Sequence, residues 1–214
     1  MYAVIAAACG PTNNAIRPEL QLNPQHTSEL SALHERYRVA AISKRAFKPA
    51  DYWTAVTQYT TGSVSKTEVG QSADGRPLYL LSYGNGPVRV LLWSQMHGDE
   101  STASMALADV VHYLHTGDQR TRQWADKLTI YMLPVLNPDG ADRFHRENAL
   151  GIDINRDARV QSTPEARTLK AVRDRVQPQF GFNLHDQNVR TRVGNTDRTA
   201  AIALLAPPTD ATGA

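Results

Sequence analysis

The chain has 214 residues, 41% of them hydrophobic and 21% charged, which is enough to bury one sizeable core and makes a single main domain the expectation. Its 23 Lys and Arg against 21 Asp and Glu leave a net charge of +2, too small to argue for nucleic acid or an anionic membrane as a partner. The one cysteine, Cys9, excludes an internal disulfide and any multi-cysteine zinc cluster, so a metal here must rely on His and carboxylate ligands.

The first residues, Met1 to Gly10, resemble the tail of an export signal, and Ala6-Ala7-Ala8-Cys9 is similar to the lipobox of bacterial lipoproteins. No Lys or Arg precedes Cys9, and the apolar stretch is shorter than the roughly 7 to 15 residues of a signal core. A clipped start and a plain small-residue N-terminus therefore stand side by side, with export, periplasmic or lipid-anchored at Cys9, favoured over a cytoplasmic location. No stretch reaches the roughly 20 apolar residues of a spanning helix. Residues 10 to 26, with Pro11, Pro18 and Pro24, read as a linker, because each proline removes a backbone donor and disfavours helix before it.

Thr27 is suited to cap a short helix whose apolar positions Leu30, Leu33 and Tyr37 recur at helical spacing, and a second short helix is expected around Asp51 to Tyr59. Thr67 to Gly70 and Pro77 to Tyr83 are extended runs joined by a turn ending in Asp74-Gly75, a hairpin signal. Val88 to Ser94 is a continuous apolar run that suits a strand covered on both faces. Ser101 to His115 carries Met105, Ala108, Val111 and Leu114 on one stripe and predicts a helix on that sheet, followed by a buried strand at Leu128 to Leu133. Residues 134 to 162 read mostly as loop; Thr163-Pro164 then opens a helix to about Val176, and Phe180 to His185 and Thr199 to Ala206 read as strands. The expected class is α/β, a mixed and mostly parallel sheet flanked by helices, with 1–47 an N-terminal segment and 48–214 the domain proper.

Ser94-Gln-Met-His97-Gly-Asp-Glu100 stands between a buried strand and a helix, where open α/β sheets place ligands. A neutral imidazole and a carboxylate three residues apart can face one point, and two His with one Glu is a catalytic zinc set that leaves a fourth position for water. The plain alternative is a polar loop followed by an acid that the helix dipole favours. His185, at the end of a second strand, weighs against it, because a third ligand has to arrive from another element.

Four pieces in order then resemble the zinc carboxypeptidase family, the carboxypeptidase A-like enzymes: His97-Gly-Asp-Glu100, Asn137-Pro-Asp-Gly140, the run from Arg146 through Asp153 to Asn155-Arg156, and His185. The match runs from about Lys48 to Ala214. The resemblance implies one zinc ion on His97, Glu100 and His185, with water as the fourth ligand. It implies oxyanion stabilisation by Arg146, with Arg143 as competitor, and a clamp on the substrate's terminal carboxylate by Asn155 and Arg156. Asp153 would accept the second ring N–H of His97, and Asn137 to Gly140 would be scaffolding. The plain reading of Arg156 is a surface ion pair with Asp157. His112, His115 and His145 read as surface or packing residues, and His26 and His34 lie outside the match.

The implied activity is hydrolysis of the C-terminal bond of a peptide or peptidoglycan peptide. The family also needs a general-base Glu and a lid Tyr on late segments, yet the last Glu is Glu165 and the last Tyr is Tyr131. Glu147 is a weak substitute. The expectation is an incomplete domain that binds zinc and turns over poorly. A zinc amidohydrolase of the desuccinylase or deacylase type, and a catalytically silent zinc-binding module, are the alternatives.

Overall fold

The computed structural model describes residues 24–186 and 196–198. The export-signal reading, Cys9, most of the expected linker and the strand expected at Thr199 to Ala206 fall outside these residues.

The first helix, α1 (Pro24–Tyr37), begins ahead of Thr27, because a proline is tolerated in the first turn, where its missing N–H is not needed. A short 3₁₀ turn at Ala40–Ile42 and α2 (Pro49–Thr57) follow. The hairpin of β1 (Val64–Gln71) and β2 (Pro77–Tyr83) turns at Gly75, whose φ of +78° suits glycine. Next come β3 (Val88–Ser94), α3 (Thr102–His115), α4 (Gln119–Lys127) and β4 (Leu128–Leu133). After them come α5 (Pro138–Arg143), α6 (Pro164–Val176) and β5 (Phe180–Leu184).

Two helices lie where the sequence signalled none. In α4 only Thr121 is buried, so the helix has no apolar stripe; its start is fixed by Asp118, which accepts from Thr121 N at 2.8 Å. In α5 the start is fixed by Asn137, which accepts from Gly140 N at 2.8 Å, and the helix ends at a left-handed Phe144.

The five strands form one sheet in the order β1-β2-β4-β3-β5. The β1–β2 and β2–β4 pairings are antiparallel, and β4–β3 and β3–β5 are parallel. The sheet is thus mixed in equal measure among the described strands, since the N-terminal hairpin gives it an antiparallel side. One face is covered by α2 and α3, where Tyr52, Val56, Leu107 and Val111 pack against Leu81, Tyr83 and Met132. The other face is covered by α6, where Val172 and Val176 pack on Leu80, Leu91 and Leu133. β3 and β4 are therefore covered from both sides, with Leu91, Met132 and Leu133 buried and their other apolar residues partly so, in keeping with their nearly continuous apolar runs. Because β3, β4 and β5 run the same way, Ser94, Leu133 and Leu184 finish at one edge of the sheet. Among the described residues no helix is long and apolar enough to cross a membrane.

Candidate metal centre

At that edge the chain leaves β3 through Gln95, a buried residue in the left-handed region at φ +53°. Such a conformation costs of order 1 kcal/mol or more for a residue with a side chain and persists where surroundings hold it. Here the Gln95 side chain donates to Gly98 O at 2.9 Å and accepts from Ser104 Oγ at 3.1 Å, tying the turn to α3. The turn closes with Glu100 N donating to His97 O at 3.1 Å. Gly98 crosses the backbone of α5 so closely that a Cβ there would lie 2.0 Å from Gly140 C. Asn137 Nδ2 donates to Met96 O at 3.1 Å and to Arg146 O at 3.2 Å, which stitches the ligand turn to the loop bearing Arg146.

His97, Glu100 and His185 converge, each offering one donor atom, and those atoms lie within 4.8 Å of one another. His97 Nδ1 is 2.8 Å from Glu100 Oε1, and His185 Nδ1 is 2.7 Å from Glu100 Oε2. Two imidazole nitrogens and one carboxylate oxygen from two separate strand ends fit zinc, which takes such ligands and leaves a further position open. The other ring nitrogen, His97 Nε2, faces Asp153 Oδ1 at 3.0 Å. A carboxylate only accepts, so Nε2 would keep its proton toward Asp153 when a cation takes Nδ1, the nitrogen that faces Glu100. Burial pushes the Glu100 carboxyl up, but His185 and then His97 overcome this and bring it down to about 2. For His97, burial opposes the charged ring, Glu100 favours it, and the net shift is upward.

Arg146 joins the same group. Its Nε and Nη2 donate to Asp153 Oδ2 at 3.1 and 2.8 Å, while Nη1 lies 3.1 Å from His97 Nδ1 and 3.4 Å from Glu100 Oε1. A guanidinium nitrogen only donates, so Nη1 and a metal cation would be alternative partners for that ring nitrogen. Arg143 points elsewhere, to Asp74 at 2.7 Å. Asn155 N donates to Asp153 Oδ1 at 2.9 Å, and Asn155 Oδ1 accepts from Asn183 Nδ2 at 3.3 Å. Arg156 is exposed, and it does not pair with Asp157, whose two oxygens are taken by Ser162 and Thr163. Burial raises the Asp157 carboxyl, and the Ser162 and Thr163 bonds more than offset it, bringing it to about 2. The structure thus gathers His97, Glu100, His185, Asp153 and Arg146 into one bonded set, with Asn155 attached through Asp153 and Arg156 beside it by backbone alone.

Two buried carboxylates support this set: Asp139, inside the Asn137–Gly140 piece read as scaffolding, and Glu165, to which the sequence reading assigns no structural part. Asp139, fully buried, accepts from Ser72 Oγ at 2.8 Å, Asp74 N at 3.0 Å and Arg76 Nη1 at 2.7 Å. Glu165, equally buried, accepts from Ala73 N at 3.0 Å and Asn148 Nδ2 at 3.1 Å. Together they clamp the hairpin tip against the loop that leads to Asp153. An acid in the first turn of a helix looks like a dipole partner in solvent, and only the fold reveals that these two are sealed. Glu147, the substitute base, pairs with His145 at 3.0 Å.

The described residues form a mixed α/β sheet with a two-His, one-Glu cluster at its carboxyl edge that could hold a metal ion. The family described as zinc carboxypeptidase matches residues 50–190, and the chain belongs to that family. Carboxypeptidase E of Caenorhabditis elegans is 30% identical over 113 residues, covering 42% of this chain and 24% of that protein. The metallo-carboxypeptidase of Burkholderia cenocepacia superposes with a TM-score of 0.61 at 22% identity, covering 66% of this chain and 41% of that one. Carboxypeptidase A of Helicoverpa armigera superposes with a TM-score of 0.54 at 18% identity, covering 76% and 54%. The chain spans about a third or less of the curated relatives it matches, with shares of 32% and 24%.

Proposed function

We propose that residues 48–214 form part of a zinc peptidase domain that acts on the C-terminal peptide bond of a peptide, whether free or from peptidoglycan. The observation that carries this reading is the convergence of His97, Glu100 and His185 within 4.8 Å, with Asp153 on the outer nitrogen of His97. Zinc held by such a set supplies Lewis acidity and an activated water. Asp153 fixes the His97 tautomer and anchors two arms of Arg146, so that Nη1, which lies against His97 Nδ1 and Glu100 Oε1, is the arm that would turn toward a developing oxyanion. Asn155 has its carboxamide oxygen occupied by Asn183, which leaves its NH₂ to donate to a terminal carboxylate. The exposed Arg156 offers that carboxylate a two-pronged donor.

Proton transfer is the weaker part of the set. No Glu follows Glu165 in the 214 residues, Glu165 itself is sealed by Ala73 and Asn148, and Glu147 is engaged by His145. The chain 1–214 is accordingly expected to bind zinc and a peptide carboxylate while turning over slowly. Export with a lipid on Cys9 belongs to the same proposal and rests on Ala6 to Cys9 alone.

Equilibrium dialysis of the purified chain tests the reading. The expected result is one zinc per chain, lost in His97→Ala, and binding of a peptide at least about tenfold tighter than its C-terminal amide, as loss of a charged hydrogen bond predicts. Equal binding of acid and amide would refute the clamp. Fast zinc-dependent release of terminal residues, abolished by His97→Ala, would refute slow turnover.

A further inference from the structure

His185 is followed by Asp186, an oxygen donor one residue from a proposed ligand, and what holds that carboxylate away from the ligands comes partly from outside the family match. Asp186 Oδ1 accepts from Thr102 N and Oδ2 from Thr102 Oγ1, both at 3.1 Å, which seats the carboxylate on the N-terminus of α3, where negative charge is favoured. Its remaining partner is Arg45 Nη2, at 2.5 Å. The same nitrogen donates to Asp99 O at 3.1 Å, inside the turn that carries His97 and Glu100. One guanidinium group therefore bridges the two segments that bear the three proposed ligands.

The segment holding Arg45 is fixed rather than loosely draped. Ile42 and Phe47, on either side, are 2% and 6% exposed in the core shared with α2 and α3, and Arg45 O accepts from Ser101 Oγ at 2.7 Å. Arg45 lies ahead of the matched residues 50–190. Asp186 N also donates to Glu100 Oε2 at 3.3 Å, so any swing of Asp186 is transmitted to the ligand carboxylate.

The geometry points to Arg45 as a positioning residue for the metal centre: by pairing with Asp186 and Asp99 O it holds the His185 segment against the ligand turn. This rests on the ligand assignment proposed above. Charge logic supports it, because Asp186 and Glu100 are neighbouring carboxylates and the Arg45 cation neutralises one, leaving the other to the metal. The Arg45 side chain is 57% exposed, so the pair adds little to overall stability, and its effect should appear at the metal.

The test is zinc affinity of the full chain by chelator competition, with the absorption of the cobalt(II)-substituted protein as a second readout of ligand geometry and thermal unfolding of each metal-free protein as a control. Arg45→Ala is expected to bind zinc about tenfold more weakly, the lower end for residues that orient ligands, with an altered cobalt spectrum and an unfolding temperature close to wild type. Asp186→Asn keeps a cap for Thr102 but loses the ion pair; it should weaken zinc similarly, and the double variant should be no weaker than either single one. Wild-type zinc affinity in Arg45→Ala overturns the inference, and if that variant does not fold, Asp186→Asn decides in the same way. A wild-type chain that binds no zinc, or a His185→Ala variant that binds it unchanged, overturns the ligand assignment and this inference with it.

Discussion

His97 Nε2 meets Asp153 Oδ1 at 3.0 Å, and the other oxygen of the same carboxylate receives two arms of Arg146. Asp153 thereby sets both the tautomer of a proposed ligand and the direction of the proposed oxyanion group. Asp153→Asn can replace neither the charge nor the full set of acceptors. It is expected to weaken zinc binding by about 10- to 100-fold, the usual cost of removing such a partner, read by chelator competition. An unchanged affinity would remove Asp153 from this role.

Zinc should bind the folded chain and not the separated ligands of the unfolded one, so it should stabilise the fold. At a free concentration near a hundred times its Kd, the gain is about 2.7 kcal/mol, or about 5 to 10 °C in Tm for a chain of this size. Calorimetry with and without zinc measures it. His97→Ala and His185→Ala should each abolish the shift, and a shift that survives both would place zinc elsewhere.

Asp139 is fully buried and accepts from Ser72, Asp74 N and Arg76. Asp139→Ala leaves those donors without their acceptor at the hairpin tip and is expected to cost about 3 kcal/mol in urea denaturation. Asp139→Asn, which keeps one acceptor oxygen, should cost less. Equal losses from the two would mean that packing rather than charge is what Asp139 supplies.

Asp157 supports a pH prediction. Its folded value of about 2 lies below the ordinary 3.8, so its contribution is fully present above that ordinary value and is lost as pH falls through about 2. The shift corresponds to about 2 kcal/mol near neutral pH. The stability gap between wild type and Asp157→Ala should therefore be constant from pH 7 to about 5 and narrow steadily below about pH 4. A gap that stays flat into the acid range would show that the bonds to Ser162 and Thr163 act independently of charge.

Where burial is two-sided the sequence declared itself. The runs Val88–Ser94 and Leu128–Leu133 have the bounds expected of them, and α3 departs by one residue at its start. Where an element is held by capping rather than by an apolar stripe, as in α4 and α5, no periodicity existed to be read. The family, the α/β class and the candidate ligands were legible because ligand chemistry demands particular residue types at strand ends. Of the supporting shell, Asp153 and the Asn137–Gly140 turn were read through the family resemblance, but the partners that bury and hold the other acids were not. Asp139 finds Arg76 and Ser72, and Asp186 finds Arg45 and Thr102, through contacts between distant segments that no reading along the chain reveals.

The crossing of Gly98 over Gly140, backbone against backbone, makes the two motifs a single mechanical part despite their separation along the chain. A designer who transplants the His97–Glu100 turn onto another scaffold has to carry the Asn137–Gly140 turn with it. Recombination between related chains faces the same restriction: a breakpoint falling between the two turns would pair surfaces shaped in different lineages, at a crossing where no side chain could rotate to absorb the mismatch.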